Sequence, residues 1–247
     1  MKVILIMAIL MSQMLFASDY DTVVKSLNGK IVKSKKLGNM PVIVFDIDHT
    51  LIDSSPRIRK ILKDASKKYY SKDLIKFLKD KNNDKFSFRY RTIRNLLIDL
   101  KIKTKKMEKI LKYVDSKFFL SEYTQYDVVL SDSLRLVKEF YKKGAFIIYL
   151  TARGKSSLVG TIASLDRLGF PIGRARTSLI MKLKGEKSAL YKKNSLMELS
   201  TMGDILAVFD DKVTNLEGLT PFLNKNFSLY LVNSKTKNKK ISTVILN

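Results

Sequence analysis

The sequence predicts an α/β fold, in which a parallel β-sheet is covered by helices on both faces. Short, continuous apolar runs such as 42–45 and 145–150 are typical of strands that are buried on both sides. These runs alternate with segments of helical periodicity, and such alternation indicates a parallel sheet. The chain has 247 residues, 45% of them hydrophobic, which is enough to bury a sizeable core.

The predicted elements follow one another without long linkers. A short helix is expected at 20–27, ended by Gly29 and followed by a basic loop to residue 36. The first strand is the run 42–45, which stops at Asp46. The later order is helix 132–143, strand 145–150, helix 156–168, strand 178–181, helix 188–199, strand 205–209 and strand 227–232. In open parallel sheets ligands bind at the carboxyl ends of the strands, where Asp46, Thr151 and Asp210 are expected.

A helical segment interrupts this pattern between residues 56 and 119. Its apolar residues recur at the i, i+3, i+4 and i+7 spacing of amphipathic helices. The three clearest sets are Ile58, Ile61, Leu62 and Ala65; Ile93, Leu96, Leu97 and Leu100; and Met107, Ile110, Leu111 and Val114. We therefore predict a helical domain at 54–119, inserted into a core domain made of 18–53 and 120–247.

The residue types that are missing exclude several classes of chemistry. The chain has no cysteine, so disulfides, thiolate zinc sites and cysteine nucleophiles are excluded. It has one histidine, His49, so a metal site built from several histidines is excluded as well. The chemistry must come from carboxylates, hydroxyls, lysine and arginine, and hard oxygen ligands of this kind favour Mg²⁺.

The formal net charge of +24 favours anionic partners. Phosphorylated small-molecule substrates, nucleic acid and anionic lipid surfaces all fit that description. The segment 54–119 carries much of the excess, with 21 Lys and Arg against 7 Asp and Glu. The alternative is that lysine is abundant throughout the chain for compositional reasons, in which case the charge says nothing about function.

The first 17 residues have the composition of an export signal. Lys2 gives a short positive start, residues 3–17 are apolar except for Ser12 and Gln13, and Ala17 offers a small residue for cleavage. The run is shorter than the ~20 residues that a spanning helix needs, although an uncleaved membrane anchor is the alternative. No second apolar run is long enough to span a membrane, so we expect an exported protein, periplasmic or secreted, without stable membrane insertion after signal removal.

A pair of carboxylates follows the first strand directly, in the stretch Asp46-Ile47-Asp48-His49-Thr50. At a strand tip, one carboxylate can attack phosphorus in line. The other can protonate the leaving oxygen and later activate water. The alternative for this stretch is a turn with acidic capping residues, and the buried strand before it favours the catalytic interpretation.

The pattern resembles the first motif of the haloacid dehalogenase superfamily, and the resemblance extends along the chain from about 41 to 215. Thr151-Ala152-Arg153 is similar to the second motif, which closes a strand with Thr or Ser. Tyr191-Lys192-Lys193 resembles the aromatic-lysine form of the third motif in acid-phosphatase-like members. Phe209-Asp210-Asp211 resembles the acidic fourth motif. The family's fold is a Rossmann-like parallel sheet, which agrees with the fold predicted above.

The resemblance implies a role for each motif residue. Asp46 would attack phosphorus and become an aspartyl-phosphate, while Asp48 would be the general acid and base. Thr151 would hydrogen-bond a phosphoryl oxygen, and Lys192 would neutralise charge at the nucleophile and the phosphate. Mg²⁺ would bind Asp46, the backbone carbonyl of Asp48 and Asp210, and so reduce the repulsion between carboxylate and phosphate.

Other residues near the motifs leave alternatives open. Asp211 would bind the metal through water or orient a ligand, or else serve as the N-cap of the next helix. Lys187 is the second choice for the phosphate-binding lysine. His49 is interpreted as loop structure, and Arg153 as a residue that faces solvent rather than the mouth of the site.

The helical insertion follows the first motif, where the family places its type-1 cap. Four arginines of the insertion are candidates for contacting substrate: Arg57, Arg89, Arg91 and Arg94. The alternative is a solvated basic face. The function implied is Mg²⁺-dependent hydrolysis of a phosphomonoester. Its rivals are a nucleotide or polynucleotide phosphatase and a non-catalytic basic protein that binds nucleic acid or a surface.

The export signal gives a first testable prediction. If the apolar start is a cleaved signal, the native protein should begin close to Ser18, because the run ends at the small residue Ala17. Mass spectrometry of the protein purified from its own cells measures the N-terminus. An intact Met1 in a cytoplasmic fraction would contradict the prediction.

Overall fold

In the computed structural model, the described residues are 17–18, 20–83, 86, 88–89, 92–183, 187–222, 227–233 and 241–244. They divide into two compact units. The first, called the sheet unit, comprises Met1–Leu51, Leu130–Ala152 and Gly173–Asn247. The second, called the helical unit, comprises Ile52–Val129 and Arg153–Ile172.

The strands and helices are numbered in chain order. The strands are β1 (Ala17–Ser18), β2 (Pro41–Phe45), β3 (Ile52–Asp53), β4 (Val128–Val129), β5 (Phe146–Gly154), β6 (Thr177–Lys182), β7 (Asp204–Asp210), β8 (Ser228–Val232) and β9 (Ile241–Val244). The helices are α1 (Tyr20–Lys36), α2 (Ser55–Lys68), α3 (Lys72–Lys79), α4 (Ile93–Asp99), α5 (Thr104–Lys117), α6 (Ser121–Thr124), α7 (Ser133–Lys143), α8 (Leu158–Arg167), α9 (Ser188–Leu199) and α10 (Val213–Glu217). Short 3-10 turns occupy Lys81–Asn83, Lys155–Ser157 and Thr220–Phe222.

Within the described residues, the main sheet has the strand order β1-β9-β8-β7-β2-β5-β6. The pairs β2–β5, β2–β7, β7–β8, β8–β9 and β1–β9 are all parallel. The predicted α/β fold with a parallel sheet is therefore confirmed. β2 lies in the interior of the sheet, which explains why its five residues are all buried and why its sequence is a continuous apolar run.

Helices cover the sheet on both faces because alternate side chains of each strand point to opposite sides. Val42 and Val44 belong to a buried cluster with residues of α9 and α10, such as Leu196 and Leu216. On the other face, the rings of Phe45, Phe209 and Tyr230 stack with centroids 4.7 Å apart. Phe140 of α7 packs against Phe209 on that face, with ring centroids 6.4 Å apart.

Helix α1 is longer than the sequence suggested. It runs through Gly29 to Lys36, so the prediction that it ends at Gly29 was wrong. Val23, Leu27 and Ile31 form one buried stripe that continues past the glycine. A glycine inside a helix costs about 1 kcal/mol, and the burial of Ile31 beyond it is worth more than that.

Four short strands were not predicted from the sequence. β1 and β9 extend one side of the main sheet, and Ala17 and Ser18 pair with Thr243 and Val244. β3 and β4 form a separate two-stranded antiparallel sheet in the helical unit. Two to four residues are too few for a periodic pattern to emerge from the sequence.

The helical unit has its own hydrophobic core. The predicted apolar sets lie in it, since Ile58, Ile61, Leu62, Ile93, Leu97, Ile110 and Val114 are all buried in one cluster. The unit contains the predicted insertion 54–119 and extends beyond it on both sides, and it also takes in Arg153–Ile172. Its role as a cap stays a prediction.

Two arginines that were expected at the surface of the protein are buried in this unit. Arg57 is 0% exposed and Arg153 is 1% exposed. Arg57 Nε lies 2.9 Å from Asp127 Oδ1, and Arg153 Nη2 lies 3.2 Å from Asp127 Oδ2. The interpretation of Arg153 as solvent-facing was therefore wrong, and Arg57 is not available to contact substrate. Asp127 lies too far along the sequence from Arg57 for local patterns to show the pairing.

Arg89 and Arg94, the other two candidates for contacting substrate that the structure describes, are closer to the surface. Arg94 Nη1 donates a hydrogen bond to Glu108 Oε1 at 2.9 Å, and both side chains are exposed. Arg89 is half-buried. Arg91 lies outside the described residues, as does the predicted signal segment apart from Ala17, so export stays a prediction. Among the residues that the structure describes, no helix has both the length and the apolarity needed to cross a membrane.

Two helical glycines provide a matched test of packing. An alanine methyl group at Gly160 in α8 would lie 2.7 Å from Cα of Ser121, whereas one at Gly29 in α1 would meet nothing within 4 Å. We expect Gly160→Ala to lower the free energy of unfolding by about 1–3 kcal/mol because of the clash. Gly29→Ala should raise it by about 0.5–1 kcal/mol through its helix propensity. Urea denaturation measures both, and equal stabilities of the two variants would contradict the packing described.

Candidate active site

Asp46 lies at the carboxyl end of β2, the interior strand of the main sheet. Phe45 is in register with Tyr149 of β5 and with Phe209 of β7. The Asp46 amide N–H then donates to the carbonyl of Phe209 at 2.9 Å. This parallel register brings Asp46 level with Asp210, so side chains far apart in sequence meet at one edge of the sheet. Asp46 is buried, with 8% of its surface exposed.

Lys192 joins the two carboxylates. Its Nζ donates to Asp46 Oδ1 and to Asp210 Oδ2, each at 2.6 Å. Lys192 is in the first half of α9, and its side chain is only 6% exposed. Short charge-assisted bonds of this kind fix both partners in position. The neighbouring Tyr191 and Leu196 are buried in the core cluster on that face, which anchors the helix that carries the lysine.

Asp210 also accepts hydrogen bonds from residues that follow it in the chain. The amide N–H of Lys212 donates to Asp210 Oδ1 at 2.8 Å, and the Asn215 amide donates to both carboxylate oxygens at 3.0 Å. Asn215 is buried and lies in the short helix α10. Sequence reasoning missed Asn215. The only available signal was an amide residue one turn after the Asp210-Asp211 pair.

Three carboxylates converge at this edge of the sheet. Asp46, Asp210 and Asp211 are all buried, and one oxygen of each lies within 4.8 Å of the others. When all three carboxylates are ionised, they and the ammonium of Lys192 together carry an excess of two negative charges. Burying such an excess is costly unless a cation compensates for it. An all-oxygen donor set of hard ligands fits Mg²⁺, so the residues present suit the ion that the sequence predicted.

The crowding also changes the acidity of Asp46. Burial raises the pKa of Asp46 to about 7, and the charges of Asp210 and Asp211 add to this effect, while Lys192 opposes it. Burial by itself would lower the pKa of Lys192, but Asp210 and Asp46 outweigh it and hold the pKa above its ordinary value. Lys192 is therefore a cation at neutral pH and offsets part of the negative charge of the carboxylates.

Comparisons with known proteins place this arrangement in a known fold. The chain is similar to the structure of a proposed phosphatase from Clostridium difficile, with a TM-score of 0.56 and 14% identity over 85% of this chain and 95% of that one. It is similar to a haloacid dehalogenase-like hydrolase from Streptococcus pneumoniae, with a TM-score of 0.53 and 10% identity over 84% and 94% of the two chains. The chain has the haloacid dehalogenase-like fold.

The same fold is found in proteins with different names. Protein tyrosine kinase A from Mycobacterium tuberculosis matches with a TM-score of 0.51 and 14% identity, over 83% of this chain and 94% of that one. No protein-family model and no curated protein sequence matches the chain. At these identities the likeness establishes the haloacid dehalogenase-like fold alone. The acid-phosphatase-like character and the type-1 cap stay predictions.

Within the haloacid dehalogenase-like sheet, the remaining motif residues have distinct environments. Thr151 is 1% exposed and belongs to β5. Its strand runs on to Gly154, so Thr151 does not close the strand as expected. Asp48 is half-buried in the segment after β2. Thr50, whose contact was not predicted, donates from Oγ1 to Asp46 Oδ2 at 3.3 Å.

The structure shows where the residues lie for which the sequence left alternatives open. Lys187 is exposed and directly precedes α9, whereas Lys192 is buried against two of the carboxylates. Asp211 is not the N-cap of α10, because Lys212 occupies that position. His49 is half-buried with a φ of 63°, a left-handed backbone conformation typical of a tight turn.

The bridging ammonium gives a prediction about stability. Lys192→Met should lower the free energy of unfolding by about 3–5 kcal/mol, because it leaves buried carboxylates without their cation. Lys187→Met is the matched control, since that side chain is exposed and directly precedes the same helix. The control should change stability by no more than about 0.5 kcal/mol.

Chemical denaturation in metal-free buffer measures both lysine variants. A Lys192→Met protein as stable as the Lys187→Met protein would show that Asp46 and Asp210 do not depend on this ion pair.

Proposed function

We propose that the chain is a Mg²⁺-dependent phosphatase that hydrolyses phosphate monoesters through an aspartyl-phosphate on Asp46. The observation that carries this proposal is the geometry of Asp46. Its carboxylate lies at the strand end of a haloacid dehalogenase-like sheet, 2.6 Å from the ammonium of Lys192. Asp210 and Asp211 stand beside it within 4.8 Å. The phosphatases and hydrolases among the similar structures support the same reaction class.

Asp46 would act as the nucleophile. One carboxylate oxygen forms a bond to phosphorus while the bond from phosphorus to the leaving oxygen breaks. The contacts from Lys192 to Oδ1 and from Thr50 to Oδ2 orient the carboxylate before substrate arrives. Such orientation supports in-line attack, because catalysis of phosphoryl transfer depends mainly on positioning and charge stabilisation.

Asp48 would act first as the general acid and then as the general base. It donates a proton to the leaving oxygen in the first step. In the second step it takes a proton from a water molecule. The oxygen of this water attacks phosphorus, and the bond between phosphorus and Asp46 breaks. Its half-buried position suits contact with water and a leaving group, whereas Asp46 is buried. Thr151 would donate its hydroxyl hydrogen to a phosphoryl oxygen from the neighbouring strand.

The carboxylates of Asp46, Asp210 and Asp211 would hold Mg²⁺, with the backbone carbonyl of Asp48 as a further ligand. When bound, the ion supplies positive charge that screens phosphate from carboxylate. Asn215 and the amide of Lys212 fix the two oxygens of Asp210, so this ligand is oriented by the protein itself. Such outer contacts are typical of metal ligands.

Two rival functions make different demands on the site. A nucleotide or polynucleotide phosphatase would use the same residues and differ only in its substrate. A non-catalytic binding protein on this fold would have no need of the Asp46, Lys192 and Asp210 contacts. Assaying the purified protein against sugar phosphates, nucleoside monophosphates and 3′-phosphorylated oligonucleotides separates these possibilities.

The nucleophile gives the decisive prediction. Asp46→Asn keeps the shape of the side chain but removes the attacking charge, so kcat on a phosphate monoester should fall by about 10³-fold or more. The control is Asp21→Asn, the same change at an exposed carboxylate in the first turn of α1, which should leave kcat unchanged. Turnover of p-nitrophenyl phosphate in Mg²⁺ buffer measures both variants.

Two outcomes would overturn the phosphatase proposal. The first is an Asp46→Asn protein, folded by circular dichroism, that keeps the wild-type kcat. The second is full activity of the wild-type protein in excess chelator. In the proposed mechanism chelation stops turnover, and added Mg²⁺ restores it.

A further inference from the structure

An exposed aromatic residue, Tyr70, lies in a lysine-rich turn between α2 and α3 in the helical unit. We call this surface the Tyr70 platform and define it as Tyr70, Lys67, Lys68, Lys72 and Lys106. We propose that it binds single-stranded nucleic acid, by stacking a base on Tyr70 and contacting phosphates with the lysines. The platform and Asp46 belong to different compact units, and the proposal does not rest on the proposed phosphatase activity.

Tyr70 is held in a backbone conformation that tyrosine seldom adopts. Its φ is 48°, in the left-handed region. The Tyr70 amide donates to the Lys67 carbonyl at 3.2 Å, and the Ser71 amide donates to the Ser66 carbonyl at 2.9 Å. This is the pattern of a helix C-terminus in which glycine is the usual residue. A bulky side chain at that position therefore works against stability.

Burial does not offset that disadvantage. The Tyr70 side chain is 83% exposed, the largest exposure among the described large apolar and aromatic residues of the chain. The preceding Tyr69 behaves differently, since it is half-buried and packs edge-on to Tyr113 with centroids 6.1 Å apart. Packing therefore explains Tyr69 but not Tyr70. The left-handed backbone at a residue whose side chain is not packed favours a functional reason for the tyrosine.

The surroundings of Tyr70 are strongly cationic. Lys67, Lys68 and Lys72 flank it in sequence, with Asp73 as the single acidic residue in 65–73. Lys106 Nζ donates to the Tyr70 carbonyl at 3.1 Å, which brings the start of α5 against the turn. The stretch 100–107 at that start contains four lysines and no acidic residue. Two lysine-rich segments that are distant in sequence thus meet at the turn that carries Tyr70.

One of these lysines is held in a fixed place. Lys68 Nζ lies 5.1 Å from the ring centroid of Tyr113 and 5.8 Å from that of Tyr69. Cation–π contacts at such distances favour a defined side-chain position over a freely moving one. The platform therefore combines the exposed Tyr70 with a lysine that is held in position by the neighbouring rings of Tyr69 and Tyr113.

This combination matches one class of ligand. Single-stranded nucleic acids bind where aromatic rings stack with bases and cationic side chains follow the phosphates. Duplexes keep their bases stacked inside, so they could use only the lysines. A polyanion without bases could do the same. The contribution of Tyr70 therefore distinguishes a single strand from other anionic partners.

Fluorescence anisotropy with a labelled 12-nucleotide oligo(dT) tests the proposal on the full chain. Tyr70→Gly should weaken binding by about fivefold to a hundredfold, the loss expected for one base–aromatic stack. Tyr70→Phe should keep the wild-type affinity, because its ring stacks in the same way. Tyr126→Ala is the control, since Tyr126 is another partly exposed tyrosine of the helical unit, at 37% exposure, and it should have no effect.

Three further measurements separate the proposal from simple charge attraction and from misfolding. Tyr70→Gly should raise the urea midpoint while it weakens binding, because glycine relieves the left-handed backbone. Its affinity for inorganic polyphosphate should stay at the wild-type level. The triple change of Lys67, Lys68 and Lys106 to Gln should weaken binding to both polymers and flatten the salt dependence.

The proposal would be overturned if the oligonucleotide does not bind at low salt, or if Tyr70→Gly binds it as tightly as the wild-type protein. An equal loss of affinity for polyphosphate would also overturn it. Turnover of p-nitrophenyl phosphate should be unchanged in the Tyr70 variants, so failure here leaves the phosphatase proposal standing.

Discussion

The ammonium group of Lys192 lies between two buried carboxylates, and the candidate site depends on this interaction. Asp46 and Asp210 meet because β2 and β7 are adjacent and parallel. Their charges would repel in a buried setting without the bridging cation, which approaches each carboxylate to 2.6 Å. The lysine compensates for only part of the negative charge once Asp211 is included. The negative charge that remains makes the site suitable for a divalent cation.

Among the described residues, buried charged side chains form two clusters, which differ in the sign of their excess charge. In the sheet unit carboxylates are in excess, and their oxygens converge on one point. In the helical unit guanidinium groups are in excess, since Arg57 and Arg153 share Asp127. There, Arg57 also donates to the carbonyl of Phe118 at 3.0 Å and lies 4.4 Å from that ring's centroid. Protein groups meet the arginines on several sides, as expected of a structural network, whereas the three carboxylates outnumber the one lysine that bridges two of them.

The haloacid dehalogenase-like fold explains why these groups meet but does not select the reaction. Proteins named as a hydrolase and as a kinase share the fold with this chain. Asp46, Lys192 and the acidic residues around them favour the proposed phosphatase activity, as does Asp48, two residues after the proposed nucleophile. The Tyr70 platform is a separate feature, because it belongs to another compact unit and combines an aromatic ring with lysines rather than carboxylates. The site around Asp46 would hydrolyse a phosphate ester, whereas the Tyr70 platform would bind single-stranded nucleic acid without reacting with it.

The sequence by itself determined the parallel sheet and its strand-end carboxylates, because strands buried on both faces need continuous apolar runs and such runs are local. It also singled out Lys192, from its place beside Tyr191 in a helix near the last acidic pair. Tertiary structure alone decided that Lys192 bridges Asp46 and Asp210, and that Asn215 orients one of them. It also reversed the interpretation of Arg153, whose partner Asp127 comes from another element. The periodic pattern of a strand or helix lies in residues that are neighbours in the sequence. The partner of a buried charge depends instead on which strands and helices become neighbours in space.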